Sequence, residues 1–334
     1  MTPTRSPRHL FGACAVLFVA ISLSGCGQDD PETESADTES ATEQASADEI
    51  TITDAQARNV TLAAEPEVVV VTDWSAIRTL SDLDIDVDAV PQAVGELPTD
   101  LASHVEGVPE IGTVFEPDYE AIQALEPDLV IVGSRSGTPE VVAELEKISP
   151  AVLDLSVRAE QPSDTWRATE ERVVQLGTIF GRQDEAQGVM DDLASQIDEV
   201  SSEASASGAS AMFVQVSDGT IGAYGPGSRF GSIYEDFGYA STNAPLDEEG
   251  SHGEEISQEF FVQYNPGVLF VLDRAKAIGD DQTPALQVLD NALANSTDAA
   301  QNDKIIEVDG FSWYLAASAP SSWQQMIDDV KASL

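Results

Sequence analysis

The chain has 334 residues, enough for two domains, and 42% of them are hydrophobic, an ordinary share for a globular core. Sixty acidic residues face fifteen basic ones, a formal net charge of −45, which argues against nucleic acid or an anionic membrane surface as a partner. An anionic ligand would meet overall repulsion, so any site for one must be locally cationic.

Residues 1–26 read as a leader. Arg5 and Arg8 give it a positive start, and Leu10 to Leu23 is an apolar run too short for a comfortable membrane span. It closes on Leu23-Ser24-Gly25-Cys26, which resembles a bacterial lipobox and implies cleavage before Cys26 and acylation of its thiol. The only other cysteine is Cys14, so the body of the chain has no disulfide and no thiolate metal site. Residues 27–49 are rich in Ser, Thr, Ala, Asp and Glu and read as a disordered acidic tether.

A first α/β lobe is expected over residues 50–162. Val68–Thr72 reads as a buried strand, Trp74–Leu83 as a helix and Ile85–Val90 as a second strand. Glu116–Leu125 is helical in pattern, Leu129–Val132 a strand, Glu140–Ile148 a helix and Ala151–Leu155 a strand. Such alternation implies parallel βαβ units. Residues 163–183 form the linking element. Trp166, Thr169, Val173, Leu176 and Phe180 recur at helical steps, Ser163 or Asp164 can cap the start, and Gly181 can end it.

A second α/β lobe is expected over residues 184–334. Ala186, Met190, Leu193, Ile197 and Val200 mark an amphipathic helix, predicted to fray over the serine-rich stretch before Gly208. Strands follow at Ala211–Val216, Ile221–Tyr224 (after a turn at Asp218-Gly219), Val268–Leu272 and Ile305–Val308, and a helix at Trp323–Val330 closes the chain. The fold class is thus α/β, two Rossmann-like lobes joined by a single long linking helix.

Ligands of open α/β sheets bind beyond the carboxyl ends of the strands. Loops there carry Trp74, Arg135, Arg229, Arg274, Trp313 and Tyr314. The stretches Glu126–Arg135 and Asn265–Arg274 repeat one pattern, proline then a buried strand then a loop arginine. A lone arginine is ordinarily half of a surface ion pair, but three in comparable loops suit anionic oxygens, which guanidinium binds bidentately. His252 lies in the polar loop Glu248–Glu255. Alone, a loop histidine is ordinarily solvated and a tyrosine ordinarily packs; together, His252 and an ionised Tyr314 suit a hard trivalent cation that already carries oxygen donors. Gly225–Gly231 imitates a phosphate loop without its spacing, and no G-x-S-x-G elbow or H-E-x-x-H pair occurs.

The chain resembles the lipid-anchored siderophore-binding proteins of Gram-positive ABC importers, class III substrate-binding proteins, and most of all their catecholate branch, which takes petrobactin- or enterobactin-type ligands. The resemblance rests on Phe115–Glu120, Asp128–Arg135, Ala223–Gly231, Ser251–Ser257, Phe270–Arg274 and Trp313-Tyr314. It implies that Arg135, Arg229 and Arg274 contact catecholate oxygens of a ferric complex, and that His252 and Tyr314 bind Fe(III) directly when the siderophore offers four donors. It further implies a monomer without an intrinsic cofactor or catalytic activity, tethered to the membrane through Cys26. Glu120 and Glu235 would dock it on an ABC permease. Apart from the resemblance, one continuous linking helix predicts modest closure rather than a wide hinge motion. The strongly acidic surface departs from the family. Rival readings are a hydroxamate siderophore, haem or cobalamin as ligand, or a secreted enzyme on paired lobes.

Overall fold

The computed structural model describes residues 49–157, 164–246 and 253–334. The leader with Cys26, the tether up to residue 48, Ser163 and His252 lie outside the described residues. The described chain begins with a hairpin absent from the sequence reading, β1 (Glu49–Thr53) antiparallel to β2 (Asn59–Ala63).

The first sheet holds β3 (Val69–Val71), β4 (Leu129–Val132) and β5 (Val152–Asp154), all parallel. All three strands are buried throughout, which explains the unbroken apolar runs of β3 and β4, while β5 ends on the buried Asp154, which accepts from Gln56 Nε2 (2.9 Å). Beyond β3 the sheet continues only as single parallel bridges, Val70 to Ala89 and Val90 to Glu110. The strand expected at Ile85–Val90 is therefore reduced to its last residues. Asp88 takes the Val69 amide with its side chain (2.7 Å), a place where a strand's carbonyl would otherwise serve. Helices α1 (Trp74–Asp82), α2 (Thr99–His104), α3 (Tyr119–Ala124) and α4 (Pro139–Leu145) complete this lobe. Asp73, Asp118 and Thr138 cap α1, α3 and α4 through their side chains.

Helix α5 (Thr165–Ile179) serves both lobes. Its Val173 packs in the core built on the second sheet, while Leu176 and Ile179 pack with Ile77, Leu80 and Leu153 of the first lobe. It stops before Gly181, whose φ of +67° suits glycine. Helix α6 (Gln183–Ser207) then runs straight through the stretch expected to fray, ending at Gly208 (φ +65°). Val200 and Ala204 still face the core there, at 1% exposure each, and Ser205 Oγ donates to Gly238 O (2.9 Å). Tertiary packing overrides the weak helix propensity of serine.

The second sheet is mixed, in the order β11–β10–β6–β7–β9 with β8 also beside β6. Strands β6 (Ser210–Ser217) and β7 (Thr220–Tyr224) form a hairpin whose turn residues, Asp218 and Gly219, both have positive φ. The lobe continues through α7 (Ser232–Glu235), β8 (Ala240–Ser241), β9 (Glu254–Ile256) and α8 (Glu259–Tyr264). It ends with β10 (Val268–Asp273), α9 (Arg274–Ala277), α10 (Ala285–Leu289), α11 (Asp298–Gln301), β11 (Ile305–Glu307) and α12 (Pro320–Lys331). Strand β10 is parallel to both β6 and β11.

The lobes also meet away from α5. Asp82 on α1 accepts the Ser321 amide of α12 (2.9 Å), and Arg78 pairs with Asp82 (3.0 Å) and Asp100 (2.7 Å) while donating to Ser321 Oγ. Gly95 abuts α9 so closely that a Cβ there would lie 2.4 Å from Ala277 O.

Candidate functional site: a cationic cluster between the lobes

Each arginine stands on a turn that its own sequence stiffens. Arg135 follows β4 in a loop where Gly133 N donates to Ser136 Oγ (3.1 Å), which in turn bonds Thr72 Oγ1 (2.7 Å) at the end of β3. Gly133 leaves no room for a side chain, since a Cβ would sit 2.1 Å from Asp73 Cγ. Arg274 opens α9 directly after β10, and Asp273 caps that turn by accepting Lys276 N (2.9 Å). Arg229 sits in the Gly225–Gly231 turn, closed by Ser228 Oγ donating to Gly225 O (2.7 Å) and anchored by Phe230 stacked 4.2 Å from Phe213. Strand β7 runs against β6, so Arg229 does not leave the carboxyl edge shared by β6 and β10, contrary to the sequence expectation.

All three guanidinium groups nevertheless converge on Tyr314. This residue lies in a short π-helical turn, Phe311–Leu315, and is half-buried. The Cζ atoms of Arg135, Arg229 and Arg274 lie 5.1, 4.7 and 5.8 Å from its ring centroid. Arg135 crosses from the first lobe to donate to Tyr314 O (2.7 Å) and Leu315 O (3.0 Å). Arg229 donates to Tyr314 O (3.4 Å), and Arg274 donates to the Tyr314 hydroxyl (3.1 Å) and Ser217 Oγ (3.4 Å).

The electrostatics follow from this crowding. Burial works to raise the Tyr314 pKa, but the Arg274 hydrogen bond and the charges of Arg274, Arg229 and Arg135 outweigh it and hold the phenol below its ordinary value. The Arg229 pKa is lowered, first by desolvation and then by the charge of Arg135. No two Cζ atoms are further apart than about 11 Å, the two longest ring distances combined. At an effective dielectric of about 20, a pair at that separation repels by about 1.5 kcal/mol, and by less where water screens it, as at exposed Arg229.

The contrast with the other arginines is decisive. Arg58, Arg78, Arg167, Arg172 and Arg182 each have a carboxylate within 4 Å, whereas among the described residues no carboxylate pairs with Arg135, Arg229 or Arg274. In a chain with sixty acidic residues, three adjacent guanidiniums without a carboxylate partner among the described residues suit an anion from outside. A separate cavity of about 650 Å³ also lies between the lobes, but Asp100, Asp273, Glu307, Asp309 and Asp329 line it and would repel an anion.

Two sequence candidates are corrected. Trp74 is only 3% exposed and belongs to the first-lobe core. Trp313 is 2% exposed, packs 5.4 Å from Phe213, and donates its Nε1 hydrogen to Asp329 (2.7 Å). Neither presents a ring to the cleft. His252 lies outside the described residues, so the structure places Tyr314 alone of the suggested iron ligands. Among the described residues no three His, Cys, Asp or Glu side chains gather to hold a metal. Glu120 and Glu235 are both exposed. Ser217, Phe230 and Tyr224 were missed. Phe230 backs the Arg229 guanidinium at 5.1 Å, a signal present in the Ser-Arg-Phe tripeptide. Tyr224 is close enough for Arg229, Arg274 and Tyr314 to act on its phenol, whose pKa burial raises.

A two-lobed α/β fold with one connecting helix and a cationic cluster in the cleft defines a solute-binding protein. The sequence pattern of the periplasmic binding protein family matches residues 69–310, and the chain belongs to that family. It is 30% identical over 328 residues to the petrobactin-binding protein YclQ of Bacillus subtilis, covering 96% of this chain and 98% of the relative. It is 26% identical over 275 residues to the ferric-anguibactin-binding protein FatB of Vibrio anguillarum, covering 80% and 83%. The crystal structure of the periplasmic catecholate-siderophore binding protein VctP of Vibrio cholerae superposes with a TM-score of 0.77 at 32% identity, covering 86% of this chain and all of that one. The fold is that of class III periplasmic binding proteins.

Proposed function

We propose that the protein is an extracytoplasmic receptor that captures an anionic ferric catecholate siderophore between its lobes and delivers it to an ABC permease for iron uptake. The observation that carries this reading is the trio of arginines around Tyr314, none of which pairs with a carboxylate among the described residues. Relatives that bind petrobactin and ferric anguibactin support the ligand class. The ferric ion is cargo and arrives with its own oxygen donors. In this reading residues 1–26 are a lipoprotein leader, Cys26 carries the lipid, and residues 27–49 tether a monomer to the outer face of the cell membrane. Residues 50–162 and 184–334 are the lobes and 163–183 the link. Exposed Glu120 and Glu235 meet the permease. With a tetradentate siderophore, His252 and Tyr314 complete the iron shell. The lowered phenol pKa supports the part given to Tyr314.

A neutral ferric hydroxamate leaves three positive charges uncompensated, so the cluster favours the catecholate. The test is a titration of the chain lacking its leader with ferric catecholate and ferric hydroxamate complexes, followed by tryptophan quenching and the charge-transfer band. Saturable quenching by the catecholate, weakened by Arg135→Leu, Arg229→Leu and Arg274→Leu, is expected. Equal or tighter binding of the hydroxamate overturns the ligand assignment. A band shift that Tyr314→Phe abolishes establishes ligation; quenching without a shift removes it.

A further inference from the structure

We propose that the aromatic ring of Tyr314, separately from its hydroxyl, is the positioning element that holds three mutually repelling arginines apart from the described carboxylates and ready for a polyanion. The proposal rests on the assignment of the cluster as the ligand site. The Tyr314 ring carries all three guanidiniums within 5.8 Å of its centroid, and no other ring among the described residues lies under more than one. A ring face attracts cations without neutralising them. A carboxylate in the same place would compensate the charge and close the site to ligands.

The hydroxyl does something narrower. Among the described residues it accepts from Arg274, which has Ser217 as a second acceptor, and it also interacts with the Arg229 side chain. Arg135 engages Tyr314 through its carbonyl oxygen and its ring, and Arg229 does so too while also reaching the phenol. Carbonyls persist in any substitution, so the ring is the part of this residue that a variant can isolate. Arg135 lies near enough to Asp73 for its charge to act on that carboxyl, so an acidic neighbour is at hand if the ring is lost. Ordered together, the guanidiniums favour an anion that offers several oxygens at once over small single anions.

The experiment compares Tyr314→Phe, Tyr314→Leu and Tyr314→Met. The ligand is a ferric tris-catecholate, whose six donors leave no iron position for a protein phenolate. The second readout is the arginine Nε–H spectrum of the ligand-free protein, in which a ring beneath a guanidinium shifts its signal upfield. Tyr314→Phe should keep the shifted signals and bind the complex more tightly than either aliphatic variant. Tyr314→Leu and Tyr314→Met should bind about 30-fold more weakly, from three contacts worth about threefold each, and lose the shifts. Parent-like binding and spectra in the aliphatic variants overturn the proposal, as does a loss in Tyr314→Phe equal to theirs. If the parent protein itself does not bind the complex, the ligand assignment fails, while the arginine signals still decide the role of the ring. Should one aliphatic variant misfold, the other carries the comparison.

Discussion

Replacing Gly133 with alanine is expected to loosen the first lobe at the root of the Arg135 loop. The new methyl would sit 2.1 Å from Asp73 Cγ, 2.2 Å from its Oδ2 and 2.5 Å from its Cβ, so Asp73 has to move. That carboxylate caps α1 through the Ser75 and Ala76 amides, at 3.0 and 3.1 Å. Losing a cap costs about 1 kcal/mol, and forcing extra volume into a packed site about 1–3 kcal/mol. The combined destabilisation is thus about 2–4 kcal/mol. Urea unfolding measures it as a lower midpoint at similar slope. Gly188→Ala is the internal control. Gly188 lies in α6 with nothing within 4 Å of a prospective Cβ, so alanine there should be neutral or stabilise by up to about 1 kcal/mol. A Gly133→Ala midpoint equal to the parent's would refute the steric argument.

Two further predictions concern buried charge. The Asp236 carboxyl is pushed up to about 7, by burial first and by Glu235 second. The folded state therefore binds this proton more tightly than the unfolded chain does. The resulting loss of stability grows as pH rises from the usual carboxylate range to about 7, at no more than about 1.4 kcal/mol per pH unit. Asp236→Asn should remove that slope and be more stable than the parent at pH 8; parallel stability curves for the two would contradict the burial. Arg78→Ala leaves Asp82 enclosed without its cation and removes the α1 link to Ser321 Oγ, leaving only the Asp82 bond to the Ser321 amide at the start of α12. A loss of about 3 kcal/mol in chemical unfolding is expected, and a loss below about 0.5 kcal/mol would show the contact to be incidental. Finally, Glu120→Gln with Glu235→Gln should abolish iron uptake by cells while ligand titrations stay at parent values; unimpaired uptake would place permease docking elsewhere.

The central strands were legible because a strand buried on both faces must be apolar throughout, as Leu129–Val132 and Val268–Leu272 are. The linking helix was legible from one stripe, Thr169, Val173 and Leu176, that stays buried along its length. The hairpin β1–β2 was not, since its strands are short and turn largely to solvent, with Ile52 and Leu62 buried and Ile50 and Val60 only partly so. The serine-rich end of α6 was misjudged because its helicity rests on Val200, Ala204 and a bond to Gly238 rather than on local preference. At the site, residue type and loop position found the arginines. What a linear reading lacked was their meeting point. Two of them reach Tyr314 through a main-chain carbonyl, which every residue possesses. The tryptophans misled for the opposite reason. A large ring beside a strand end serves a core as readily as a cleft, and Trp74 and Trp313 serve cores.

A cationic cluster set in so acidic a chain has a kinetic consequence. A charged ligand approaching from afar meets the repulsion of a body with a net charge of −45, and only within the last stretch does it feel the three guanidiniums. Added salt shortens the Debye length to about 10 Å at 0.1 M, which erases the distant barrier before it weakens the contacts inside. Capture should therefore quicken as salt rises, the reverse of ordinary electrostatic steering, while release quickens as well. Such a receptor trades speed in dilute water for a nearly salt-indifferent grip in brine.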